Sequence, residues 1–165
     1  MKRSLVTLLL LIVVRSAGGA QPSGPYTQNA VYFEFLGQGL LYSVNFDHRF
    51  TEHIALRAGI SHFTVEFISD VSVTTIPIVA EYLSGTGNHH LEIGLGIIPI
   101  YGSVSTSFFG EREGSVGTWG VIATATLGYR YQPVSEGFLF RIGLTPLMAG
   151  HEGVIWGGAS IGYAF

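Results

Sequence analysis

The chain has 165 residues, no cysteine, 23 glycines and only 12% charged side chains, for a formal charge of −3. Soluble globular domains carry roughly 25% charge and ~7% glycine, so this composition excludes a disordered chain, a coiled coil and a helical bundle. The lack of cysteine excludes a disulfide scaffold, a thiolate metal site and a lipid-modified N-terminal cysteine.

Lys2 and Arg3 precede an apolar run from Leu5 to Val14, and Gly18-Gly19-Ala20 supplies small residues before Gln21. That is the plan of a secretory signal, and the run is too short for the ~20 residues of a membrane-spanning helix. Residues 1–20 read as a cleaved signal and residues 21–28, with Pro22 and Pro25, as a flexible lead-in; residues 29–165 form one domain. Loss of Lys2, Arg3 and Arg15 takes the charge from −3 to −6 and leaves no lysine. A nucleic-acid partner needs a basic footprint, and this chain has none.

From Asn29 onward the pattern has period two, which is the signature of strands. Leu40, Tyr42, Val44, Phe46, His48 and Phe50 alternate with Leu41, Ser43, Asn45, Asp47 and Arg49. The alternation predicts eight strands, at Asn29–Leu36, Leu40–Phe50, Ile54–Phe63, Val73–Leu83, His89–Tyr101, Trp119–Tyr131, Phe138–Pro146 and Ile155–Phe165. Short connections (51–53, 84–88, 132–137) oppose longer ones (64–72, 102–118, 147–154), with Gly37-Gln38-Gly39 a tight exception. Short periplasmic turns opposite longer outer loops, with ~10-residue tilted strands, predict an antiparallel up-and-down transmembrane barrel. An even strand count puts both chain ends on the short-turn side.

One parity is aliphatic in mid-strand: Ile76, Ile78; Ile93, Leu95, Ile97; Val121, Leu127; Ile142, Leu144; Ile161. The other is small or polar, as in Gly94, Gly96, Thr124, Thr126, Gly128 and Ser160. A soluble surface needs ~25–35% charged residues of both signs, which the polar parity cannot supply. Small residues do suit the narrow interior of an eight-stranded barrel, so the aliphatic parity is expected to face lipid. Aromatics on that outward parity gather toward the strand ends, among them Phe50, Tyr82, Tyr129, Phe138 and Tyr163 at one end and Tyr42, Phe63, Tyr101 and Trp119 at the other. Two girdles of this kind fit headgroup regions. Trp156 falls on the inward parity and does not fit.

The inward parity also carries Glu34, Asp47, Arg49, Arg57, Glu81, Glu92, Arg130 and Arg141. Buried charges persist when paired, and arginine's planar fork suits carboxylates. These four acids and four arginines are expected to form a salt-bridged layer that closes and stiffens the lumen.

Alternating strands, the signal and the closing Tyr163-Ala164-Phe165 resemble the small eight-stranded outer-membrane proteins of the OmpA/OmpX type. Leu40-Leu41-Tyr42-Ser43 and Asn88-His89-His90-Leu91-Glu92 resemble segments of uncharacterised outer-membrane β-barrel families. The resemblance implies residence in a Gram-negative-type outer membrane, among lipid and lipopolysaccharide. It also implies insertion by the barrel-assembly machinery, with Tyr163 and Phe165 matching the aromatic positions of the assembly signal. The glycine usual further upstream has no clear match, since Ser160 is a serine.

Chemistry is sparse. His48, His53, His89 and His90 belong to the same predicted rim, where zinc is one use and a wet interface another. The resemblance brings two barrel enzymes into view. Lipid-A deacylases use His-x-Ser, and His62-Phe63-Thr64 is the nearest approach here; palmitoyltransferases need an N-terminal helix that Pro22 and Pro25 forbid. Gly37-Gln38-Gly39 lacks the rest of a phosphate loop. The expected function is a non-catalytic structural or surface-interaction role, without metal or cofactor. A narrow porin-like pore and a membrane-embedded lipid-modifying enzyme are the alternatives. The 103–118 loop, with Phe108-Phe109 beside Glu111-Arg112-Glu113, is the expected contact surface for an unknown partner.

Overall fold

The computed structural model describes residues 26–66, 70–108 and 111–165. The expected signal, residues 1–20, and the first part of the lead-in lie outside the described residues. The strands are β1 (Asn29–Leu36), β2 (Tyr42–Arg49), β3 (Ile54–Glu66), β4 (Asp70–Thr75), β5 (Ile78–Ser84), β6 (His89–Phe108), β7 (Glu111–Tyr131), β8 (Gly137–Ala149) and β9 (Glu152–Ala164). A single 3-10 turn, Gly37–Gly39, follows β1.

All pairings are antiparallel between strands next to each other around the barrel, and β1 pairs with β9, so the sheet closes. The seam is locked by Asn29 N–H to Phe165 O at 2.9 Å and Phe165 N–H to Asn29 O at 2.8 Å. β4 and β5 both lie between β3 and β6, and together fill one of eight strand positions. The expected fourth strand, Val73–Leu83, is therefore broken at Ile76-Pro77. Pro77 has no N–H to give, although its carbonyl still accepts from Gly59 N at 2.9 Å.

Closure removes the sheet edges, and period-two alternation then divides every strand into an inner and an outer set. The aliphatic parity is outermost: Leu95 is 71% exposed and Ile142 53%. The same residues do not meet across the middle. Close approach of β7 and β8 requires glycine on both, because a Cβ on Gly143 would lie 2.8 Å from Gly128 Cα, its register partner.

Several expectations need correction, among them the 147–154 loop, where β8 and β9 stay paired to Ala149↔Glu152. The second strand begins at Tyr42, since Leu40 and Leu41 belong to the turn. The segment 102–118 is not a loop: β6 and β7 stay paired to Phe108↔Glu111, with a register shift between Thr106 and Ser107. The alternating Ser103, Val104, Ser105, Thr106 run favours continued pairing, and β3 and β4 likewise reach Glu66↔Asp70. Phe63 belongs to the inner parity, in register with Val73 and two residues beyond buried Ser61. Trp156 is inward as its parity indicates, and its Nε1–H donates to Leu40 O at 3.1 Å, so the turn supplies its partner.

Candidate functional site

All eight predicted charged residues point into the barrel, and Arg57, Arg130 and Asp47 are fully buried. Glu81 on β5 is the hub. Its Oε1 lies 3.2 Å from Arg57 Nε and 3.0 Å from Arg141 Nη2, and its Oε2 accepts from Arg130 Nη1 at 3.2 Å. Arg130 Nη1 also reaches Asp47 Oδ2 at 2.8 Å, while its Nε–H donates to Gln132 Oε1 at 2.8 Å. Arg141 grips Glu92 with both Nε, at 2.9 Å, and Nη2. Arg57 Nη1 completes the set at Glu34 Oε1, 3.3 Å away, and Glu34 also accepts from Ser43 Oγ at 3.1 Å. The network ties β1, β2, β3, β5, β6, β7 and β8 together through the middle of the barrel.

Arg49 is the exception among the eight. Its Nη2 donates to the Glu52 carbonyl at 2.5 Å, and its guanidinium stacks 4.6 Å from the Tyr26 ring centroid. Asp47, two residues away on the same face, is instead taken by Arg130 from across the lumen. Arg49 therefore sits at the short-turn rim and takes no part in the salt-bridged layer.

Several interior groups escape a search for charge alone. Tyr32, two residues before Glu34 on the same face, accepts from Arg141 Nη1 at 2.5 Å and lies under its guanidinium at 4.7 Å. Its parity was the available signal. Gln38 is fully buried and donates to Thr126 Oγ1 at 2.9 Å and Thr124 Oγ1 at 3.2 Å on β7. The turn that carries it is folded into the barrel, not across its rim. Gly37 makes that possible at φ +69°, where an added Cβ would lie 2.6 Å from the Glu34 carboxyl carbon. At the opposite end Gln132 Nε2 donates to Thr27 Oγ1 at 2.9 Å, and Thr27 donates to Pro133 O at 2.9 Å, so the lead-in covers that mouth. Between Glu34, Glu92, Arg141 and Ser160 there remains a cavity of about 20 Å³, room for about one water.

The histidines do not converge. His48 pairs with Asn29 Oδ1, His53 with Leu83 O and His89 with the Tyr129 hydroxyl, whereas His90 alone turns inward. His53 stacks on Tyr82 and His89 packs against Tyr131, so these two are part of the aromatic rim. Among the described residues, no group of three or more His, Asp or Glu could hold a metal ion. His62 Nδ1 meets Thr74 Oγ1 at 2.9 Å on the exterior, away from the charged lumen. Tyr163 is half exposed on the outer face, and Phe165 is fixed by the closing ladder.

No protein-family model matches the chain, and no curated protein matches it. Solved structures do. The N-terminal β-barrel domain of Pseudomonas aeruginosa OprF is similar over 84% of this chain and 99% of its own, with 17% identity and a TM-score of 0.59. Ail, the attachment invasion locus protein of Yersinia pestis, is similar over 85% of this chain and 99% of its own, with 13% identity and a TM-score of 0.54. The same protein in complex with the heparin analogue sucrose octasulfate gives 14% identity and 0.53. The fold is thus the closed eight-stranded antiparallel barrel found in outer-membrane proteins.

Proposed function

We propose that this chain is an integral outer-membrane barrel with a structural or surface-presenting role, without catalysis, whose lumen is closed by its own ion pairs. The carrying observation is the Arg57, Arg130 and Arg141 network on Glu34, Asp47, Glu81 and Glu92, with Gln38 folded in above it. Its function is to fill and stiffen a narrow interior. A charged layer cross-linked by ion pairs resists shear between strands and offers no continuous aqueous path. The exposed aliphatic belt and the likeness to outer-membrane barrels support residence in that membrane. On this reading residues 1–20 are removed during export, and Tyr163 and Phe165 are read by the barrel-assembly machinery. Lipid and lipopolysaccharide surround the finished belt.

Planar-bilayer recording tests the closed lumen. The full mature barrel is expected to give no conductance above the empty membrane, and Arg141→Ala combined with Gln38→Gly is expected to open measurable, fluctuating currents. Steady wild-type channels would favour the narrow pore instead.

A further inference from the structure

The inner wall changes character at the Gln38 turn. Below it the inward parity holds the charged layer, with Leu83 and Leu139 nearer the rim; above it the same parity gains aliphatic residues, with Ile98 opposite Ile122 across β6 and β7, alongside Ser61 and Thr75. Higher still, Val65, Val71, Val104 and Val116 are consecutive register partners across β3, β4, β6 and β7. The outward parity of those same extensions is polar, with Thr64 and Ser72 hydroxyls bonded at 2.9 Å. Polarity is therefore inverted relative to the belt: apolar inside, polar outside. An inward apolar wall standing beyond a lipid belt has no acyl chains to meet, so it is suited to an apolar occupant of the mouth.

The space for one exists. Leu40, Ile122, Leu147, Ala149 and Val154 line a concavity of about 320 Å³ at this mouth, with Glu152 at its edge. That is the size and composition of a small-molecule site, mostly apolar with a polar group near the rim. Gln38, bonded to Thr124 beside Leu147, lies on its inner side, toward the ion-paired layer. A second observation points the same way. Leu40 sits at φ +71°, ψ −76°, the rare positive-φ γ-turn, with Leu41 N–H bonded to Gly39 O at 3.1 Å. Trp156 Nε1–H holds the Leu40 carbonyl, keeping a strained leucine in the lining. Strain held at a bulky residue in a cavity wall is characteristic of ligand clamps.

We propose that this outer vestibule binds a small, uncharged, apolar molecule from the outside without passing it through. The proposal uses the closed lumen only as its inner boundary, and bilayer conductance reports any failure of that boundary separately. The test is a titration of the full mature barrel, in lipid nanodiscs with labelled Ile, Leu and Val methyls, against 1-octanol. Saturable shifts are expected at Leu40, Ile122, Leu147 and Val154, while the belt methyls of Leu95 show only the linear drift of partitioning. Ala149→Trp, at an exposed tip position, is expected to abolish the saturable component while leaving the belt response unchanged. Linear shifts of equal size at vestibule and belt would overturn the proposal. So would saturation that survives Ala149→Trp, or shifts that follow protein concentration and report a second copy of the chain in the mouth. Should Ala149→Trp not fold, Val154→Trp makes the same test from the facing strand, and the wild-type titration alone still decides between site and partitioning.

Discussion

Arg130 and Arg49 lie on the same inner face near the same rim, yet their losses should differ sharply. Arg130→Ala strands Asp47 and weakens the hold on Glu81, and removing one partner of a buried pair costs about 3–5 kcal/mol. Arg49→Ala loses a stack on Tyr26, about 0.5–2 kcal/mol, and leaves no carboxylate bare. Urea unfolding in vesicles, followed by gel migration, should rank the two in that order. The turn offers a pair with opposite signs. Leu40→Gly relieves a positive φ that costs a non-glycine residue roughly 1–3 kcal/mol and should not destabilise, despite the lost side chain. Gly37→Ala should destabilise, because its Cβ runs into Glu34 from a positive φ. The same unfolding assay reads both.

At the scale of strands, the outward belt and the hairpin above it make different demands on the same residue type. Leu95→Arg places charge in the belt and should cost ~2–4 kcal/mol if that position is near the bilayer midplane. Val116→Arg, 81% exposed on the β7 extension, should leave unfolding unchanged. Strand existence and facing were legible because alternation is local and every inner Arg or acid shares parity with its neighbours. What was not legible depended on tertiary events. Pro77 splits a strand whose alternation runs on through it. The 102–118 hairpin reads as a loop because polarity changes face there, so the belt pattern stops while pairing continues. Phe63 was misassigned for the same reason. Arg49 falls outside the expected layer because Asp47, its neighbour on the same face, pairs with Arg130 from the far wall, and Gln38 was hidden because no local signal says that a glycine-flanked turn folds inward.

For the molecule as a whole, the arrangement is a barrel with side-chain contacts near each end: Thr27 and Gln132 at the short-turn mouth, Gln38 and Trp156 toward the other. Between them three arginines are shared among four acids, and outside them the aliphatic belt requires a nonaqueous surrounding. The whole account depends on that belt contacting acyl chains. The natural absence of cysteine makes the decisive measurement direct. Nitroxide labels are attached at Leu95→Cys, Ile142→Cys and Val116→Cys in the barrel reconstituted into bilayers, and collision rates are read with oxygen and with a water-soluble nickel chelate. The account predicts frequent oxygen and rare nickel collisions at residues 95 and 142, and the reverse at residue 116. Nickel access at 95 and 142 equal to that at 116 would contradict it.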